Sequence, residues 1–312
     1  MKKRNKQEGQ DTRQRGNRTG IWFFSVLCRV CGLKGAYGFL YIVCLYYLLF
    51  DKSAVNAAMA YIRRRFPNES SFKRHLHVYR LFVSQGKQLL DRYVAISGVN
   101  RFNIHLKQNE EFEQIITNPE QGGIILTSHL GNWQLAIGSL KNICKDIYLL
   151  MREEESAAIQ DFLKLKAPNS QIRIISPDDY MGGVVQIINA LKQGNLVSMM
   201  GDRSYGADTV SVSFMNDRAA FPYSAFHIAA IAKVPIIVLL CNKNADNEYL
   251  VDACNVLYPV YRSRRDKLNQ LKPWVQTYAS LLQEKFKQNP YQCFLFYDVW
   301  EENQGKDLQD KD

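Results

Sequence analysis

The sequence predicts a layered α/β fold: a mostly parallel or mixed sheet flanked by helices, behind an N-terminal membrane-associated helical region. Three observations lead there. Beyond residue 100, short apolar runs rich in Ile, Leu and Val alternate with stretches of helical period, the rhythm of strand–helix–strand units. Hydrophobic residues make up 46% of the 312, enough to fill one large domain or two small ones. A basic N-terminal arm then runs into a long apolar stretch, a pattern suited to an anionic membrane surface.

Residues 1 to 20 are polar and read as a disordered arm. Lys2, Lys3, Arg4, Lys6, Arg13, Arg15 and Arg18 stand against Glu8 and Asp11, a net +5 that is half of the chain's +10. Such an arm points to a phosphate-bearing partner, either anionic lipid or nucleic acid. Residues 21 to 50 are mostly apolar, and Gly35 to Phe50 carries no charge over sixteen residues. As one helix, that stretch rises roughly 24 Å, short of a hydrocarbon core of about 30 Å. Length alone favours a buried core helix. Tyr37, Tyr41, Tyr46 and Tyr47, with the basic arm ahead of them, favour a membrane-seated hairpin or anchor. The late start of the apolar region, with no small-x-small site after it, argues against a cleaved signal peptide.

Residues 51 to 98 read as a helical lead-in. Asp51-Lys52-Ser53 caps a helix that stops at Pro67, with Arg63-Arg64-Arg65 as a solvated end. A second helix carries Phe72, Leu76, Tyr79, Leu81, Phe82 and Leu89. The α/β rhythm then runs to residue 300. Strands are expected at Gly123–Leu126, Ile147–Met151, Ile172–Ile175, Leu196–Met200, Val210–Phe214, Ile236–Cys241, Tyr249–Val256 and Cys293–Tyr297. Helices are expected at Trp133–Lys141, Ser156–Lys166, Met181–Leu191, Tyr223–Ala232 and Pro273–Gln288. Residues 301 to 312 form a polar tail. The seven cysteines make no regular framework and read as reduced core thiols. Cys28-x-x-Cys31 has no second pair, so no metal is expected.

The stretch Gln121 to Leu140, QGGIILTSHLGNWQLAIGSL, has the grammar of strand, tight turn and helix, with His129 in the turn. Loops at the carboxyl ends of strands in α/β folds are where reactive side chains are presented. His129 is either a general base there or a histidine that only caps or bonds backbone. Gln134 lies five positions on, so the two cannot share the face of a regular helix. A side chain at 134 reaches back only if the helix starts near Asn132.

These residues carry a resemblance. Ser128-His129-Leu130-Gly131-Asn132-Trp133-Gln134 is similar to the His-x4-acid block of the lysophospholipid acyltransferase superfamily, and most to its bacterial lipid A biosynthesis (lauroyl/myristoyl) branch, which commonly reads His-Phe-Gly-Asn-Trp-Glu. Tyr148 through Arg152-Glu153 resembles a strand ending in Arg. Met200-Gly201-Asp202-Arg203 resembles the Gly-Asp-Arg/Gln block, and Phe221-Pro222-Tyr223-Ser224-Ala225 the segment after it. Phe294 through Trp300 resembles the C-terminal Phe-Tyr-Asp-Phe-Trp segment. One His-x4 motif is weak; the ordered set over residues 20 to 300 is specific.

The resemblance implies a glycerol-phosphate-acyltransferase-like fold and a membrane-bound acyltransferase at the cytoplasmic face of the inner membrane. It would move a fatty acyl chain from an acyl carrier protein or coenzyme A thioester to a hydroxyl or amine of a lipid acceptor, a lipid A precursor or related envelope lipid. The thioester is a co-substrate, and no cofactor is implied. His129 would be the base with position 134 as its partner, and Arg152, Asp202, Arg203 and Asn132 would contact substrate. This chain departs from the pattern at Gln134, whose amide accepts a ring N–H but carries no charge. Three readings follow: Gln134 orients the ring as a neutral group; another carboxylate, Asp202 or Asp298, supplies the charge; or the site is degenerate and only binds lipid. A nucleic-acid binder rests on charge alone, without a basic-aromatic module or zinc framework.

Overall fold

The computed structural model describes residues 18–97, 102–140, 143, 145–151, 172–203 and 208–300. The basic arm up to residue 17, Arg152, the helix expected at Ser156–Lys166 and the tail from 301 lie outside them.

Helix α1 spans Arg18–Phe50 and breaks at Gly32, where φ 68° and ψ 177° suit only glycine. The rings of Phe23 and Phe39 lie 5.0 Å apart. A straight helix would separate residues sixteen apart by about 24 Å, so the chain folds back at Gly32, as the hairpin reading expects. Counted as one rod, Val26–Phe50 has 25 residues and a mean hydropathy of 1.5, long and apolar enough to cross a membrane. The fold-back divides that rod, and the arm 33–50 alone rises roughly 27 Å. One face of this arm, with Ala36, Tyr37, Leu40 and Cys44, is buried; Ile42, Leu45, Tyr46, Leu49 and Phe50 are exposed.

Helix α2 (Lys52–Arg65) starts as expected, with Asp51 accepting from the Ala54 N–H at 2.9 Å. Its end departs from the expectation of solvated arginines. Arg64 forks onto Asp217 with two 2.8 Å contacts and stacks 4.3 Å from the centroid of buried Trp300. Helix α3 (Ser71–Ser97) lies against α1 and α2. Its buried Asp91 receives Tyr37 of α1, Lys243 of strand β8 (Ile236–Ala245) and Tyr249 of strand β9 (Glu248–Leu257). That buried, hydrogen-bonded cluster ties the helical lead-in to the sheet.

The remaining strands of the main sheet are β1 (Asn103–Lys107), β2 (Gly123–Thr127), β3 (Ile147–Leu150), β4 (Ile172–Ile175) and β5 (Leu196–Met200). The order is β1-β9-β8-β2-β5-β3-β4, and every pairing is parallel except β8 with β9. Strand β2 is buried at all five positions, as a central parallel strand must be. Its side chains alternate between two cores: Ile124 and Leu126 face one, Ile125 the other. Helices α4 (Glu110–Thr117) and α5 (Trp133–Ser139) send Phe112, Ile115, Leu135 and Ala136 to the Ile125 side. Helices α6 (Val184–Lys192), α7 (Ser224–Ala232) and α8 (Lys267–Gln288) cover the other.

Three expectations on the strands change. Cys293–Tyr297 is not a strand; it lies outside any ladder, with an isolated bridge from Cys293 to Leu130, and its backbone turns at Phe296, where φ is 41°. β1 was not expected. Nor was β7 (Asp217–Pro222), which forms a two-stranded antiparallel sheet with β6 (Thr209–Phe214) across a two-residue turn and also bridges Trp300 through Ala219. That turn has positive φ at Met215 and Asn216, the backbone of a tight hairpin built without the usual glycine.

Candidate active site

Parallel pairing of β2 with β5 aligns Thr127 with Met200. His129 and Asp202 therefore each lie two residues beyond the ends of neighbouring strands, at the carboxyl edge of the sheet. The ring Nδ1 of His129 is 2.9 Å from Asp202 Oδ1, and the His129 backbone N–H donates to Asp202 Oδ2 at 2.5 Å. Both carboxylate oxygens are thus spent on one residue. Asp202 is fully buried, whereas 23% of the His129 side chain is exposed. Ring Nε2 has no hydrogen-bond partner among the described residues. A buried carboxylate on Nδ1 fixes the tautomer that leaves Nε2 able to accept a proton, and would stabilise the imidazolium that follows.

The turn is held from behind. Phe294 N–H donates to the His129 carbonyl at 2.8 Å, and Gly131 N–H donates to the Gln292 carbonyl at 3.0 Å. The C-terminal segment therefore brackets His129 with two backbone bonds. Gly131 has φ 60°, and a Cβ there would stand 2.0 Å from the Cys241 carbonyl oxygen. Backbone conformation and space both demand glycine. We expect Gly131→Ala to cost about 3 kcal/mol or more of stability, read as a lowered unfolding midpoint in denaturant; an unchanged midpoint would show that the turn is not held this way.

Gln134 does not meet His129. With its amide oriented to satisfy both ends, its oxygen accepts from Arg92 Nη1 at 3.0 Å and Trp133 Nε1 at 3.3 Å, and its nitrogen donates to Asn132 Oδ1 at 3.1 Å. Helix α5 starts at Trp133, so position 134 is already helical and its side chain points along α5 toward α3 rather than back to the ring. Of the three readings, the structure brings together the one with a second carboxylate. That carboxylate is Asp202; Asp298 accepts from the Trp300 N–H at 3.1 Å.

Two residues expected to contact substrate are placed elsewhere by their burial. Asp202 is committed to His129. Asn132 is 3% exposed, caps α5 by accepting from Leu135 N–H at 3.4 Å, and donates to the Gln88 carbonyl at 3.2 Å. Arg203 remains open. Its Nε is buried without a hydrogen-bond partner among the described residues, and its guanidinium sits 5.9 Å from the Tyr297 ring centroid. Arg92 is the residue that sequence reading missed. It follows Asp91 in a helix with no motif around it, and only packing of α3 on the His129 turn reveals it. Burial pushes its pKa down from the ordinary guanidinium value.

Residues 46–302 match the family model described as bacterial lipid A biosynthesis acyltransferase. The chain belongs to this family. The match takes in α2, α3 and the whole sheet with the His129–Asp202 pair, and it begins late in α1. Comparison with curated proteins gives no match at a significant level. The lipid A acyltransferase family accounts for the order of the sequence blocks, and the fold explains their spacing. Ser128–Gln134 and Met200–Arg203 follow two paired strands, and Phe294–Trp300 passes behind the first of them.

Proposed function

We propose that the protein is a membrane-seated acyltransferase that transfers a fatty acyl chain from an acyl carrier protein or coenzyme A thioester to a hydroxyl of a lipid A precursor or related envelope lipid. The observation that carries the reading is the His129 ring, bonded to buried Asp202 through Nδ1 and open at Nε2. Nε2 takes the proton of the acceptor hydroxyl, and the oxygen attacks the thioester carbonyl. The tetrahedral oxyanion collapses, the C–S bond breaks, and the leaving thiolate recovers the proton from Nε2. No acyl-enzyme forms and no metal takes part.

The Gly131 N–H, an obvious oxyanion donor by position, is already bonded to Gln292. We assign the oxyanion to Arg203, which follows Asp202 directly and has a buried, unpartnered Nε among the described residues. Arg152 is the second basic residue we expect at substrate. The exposed apolar face of α1 sits in the cytoplasmic leaflet of the inner membrane, and the basic arm ahead of it meets anionic headgroups. Arg262, Arg264 and Arg265 are exposed before α8, a cationic patch that suits an acidic carrier protein.

The experiment is acyl transfer by the purified full chain in detergent, given radiolabelled acyl carrier protein and coenzyme A thioesters with a tetra-acyl lipid A precursor or total membrane lipid. A labelled acyl lipid is the expected product. Label that remains on both donors with every acceptor would overturn the reading.

A further inference from the structure

One charged group beside the His129 turn has no part in this mechanism. Arg92 is half-buried on α3, and its Nη1 rests on the Gln134 amide oxygen at 3.0 Å. No carboxylate among the described residues pairs with it. One helical turn earlier on α3, the Gln88 carbonyl accepts from Asn132 within the His129 turn, so Arg92 flanks the site. A guanidinium stays charged at any physiological pH. Drawn partly out of water with a neutral acceptor as its partner among the described residues, it leaves a positive charge that they do not compensate, and an anion arriving there gains a charge-assisted, fork-shaped contact. A carboxylate at position 134, the residue type usual in the related sequence pattern, would neutralise that charge from within. Glutamine keeps the same hydrogen bond and aims the guanidinium without neutralising it.

We propose that Arg92 receives a phosphate ester of a substrate, and that Gln134 is the positioning residue that leaves its charge available. The inference rests on the acyl-transfer reading for the place of the site but needs no turnover to be tested. The shared chemistry is a phosphate monoester or diester, and it has two sources: the donor's phosphopantetheine end, or a phosphorylated sugar of the acceptor.

Binding to the full chain in detergent separates them. Coenzyme A is titrated against pantetheine, and a bis-phosphorylated lipid A disaccharide against its dephosphorylated form, with no second substrate present. Wild type is expected to bind one phosphate-bearing probe. Gln134→Glu and Arg92→Gln are each expected to weaken that probe by about ten- to a hundredfold, with the phosphate-free counterpart unchanged. Loss in the coenzyme A arm assigns the phosphate to the donor; loss in the disaccharide arm assigns it to the acceptor. Gln134→Glu adds a partner to Arg92, so its folding is not at risk in the way that of Arg92→Gln is. Equal affinity of wild type and Gln134→Glu overturns the proposal, as does equal loss on phosphate-free probes or a wild type that binds neither phosphate. Phosphate binding lost in Gln134→Glu, in a wild type that transfers no acyl chain, would sink the acyl-transfer reading alone.

Discussion

Asp202→Asn is expected to lower acyl transfer by about a thousandfold or more while leaving the protein folded. The substitution keeps shape and volume and removes only charge. Asp202 is fully buried and spends both oxygens on His129, so its charge acts undiluted by water. Asparagine can present its NH2 to Nδ1, which selects the tautomer with the proton on Nε2 and removes the base. Where the orienting carboxylate of a Ser-His-Asp triad was replaced by its amide, turnover fell about ten-thousandfold for that reason. Single-turnover transfer of a labelled chain measures the loss, and unfolding in denaturant checks the fold. Adding Gln134→Glu to this variant is expected to restore nothing, because position 134 faces Arg92 and not the ring. Recovery in the double variant would show that Gln134 reaches His129 after all.

His129→Ala is expected to remove transfer to the limit of detection, a loss of about a thousandfold or more from the base alone. Residual transfer then comes from substrate binding and oxyanion contacts. The backbone N–H at 129 still bonds Asp202, but Oδ1 loses its partner in a buried site. We therefore expect a stability loss of about 1–3 kcal/mol beside the kinetic one. The two effects separate in the assay: the folded fraction is set by denaturant titration, and transfer is then scored per folded molecule. Transfer within tenfold of wild type would remove His129 from the mechanism.

Gln134→Glu also tests how far motif reading carries. By spacing alone, position 134 looks like the partner of His129, and its lack of charge looks like a defect. The helix start at Trp133 turns that side chain away, and the defect becomes a property of the Arg92 environment instead.

Much of the fold was legible because its signals are local. β4 and β5 fall on the bounds expected from their apolar runs, and β2 extends one residue beyond. The Asp51 cap sits where a polar residue precedes a helical pattern. β7 was hidden because Asp217 and Arg218 open it and Pro222 closes it, a composition that reads as loop. Cys293–Tyr297 has the composition of a strand, but its hydrogen bonds go to the His129 turn rather than to a ladder. Arg64 reads as a solvated helix end because its partners, Asp217 and Trp300, lie more than 150 residues away.

By itself, the sequence determined the alternation of strands and helices, the long apolar stretch behind a basic arm, and His129 in a strand–turn–helix, since each follows from spacing and residue type within one short window. The tertiary structure alone decided which carboxylate serves that histidine. Asp202 is 73 residues from His129 along the chain, and only the parallel register of β2 and β5 brings the two strand ends together. The same packing turned Gln134 from the histidine's missing acid into the neutral neighbour of a half-buried arginine, because the direction of a side chain is set by the helix that carries it and by what that helix lies against.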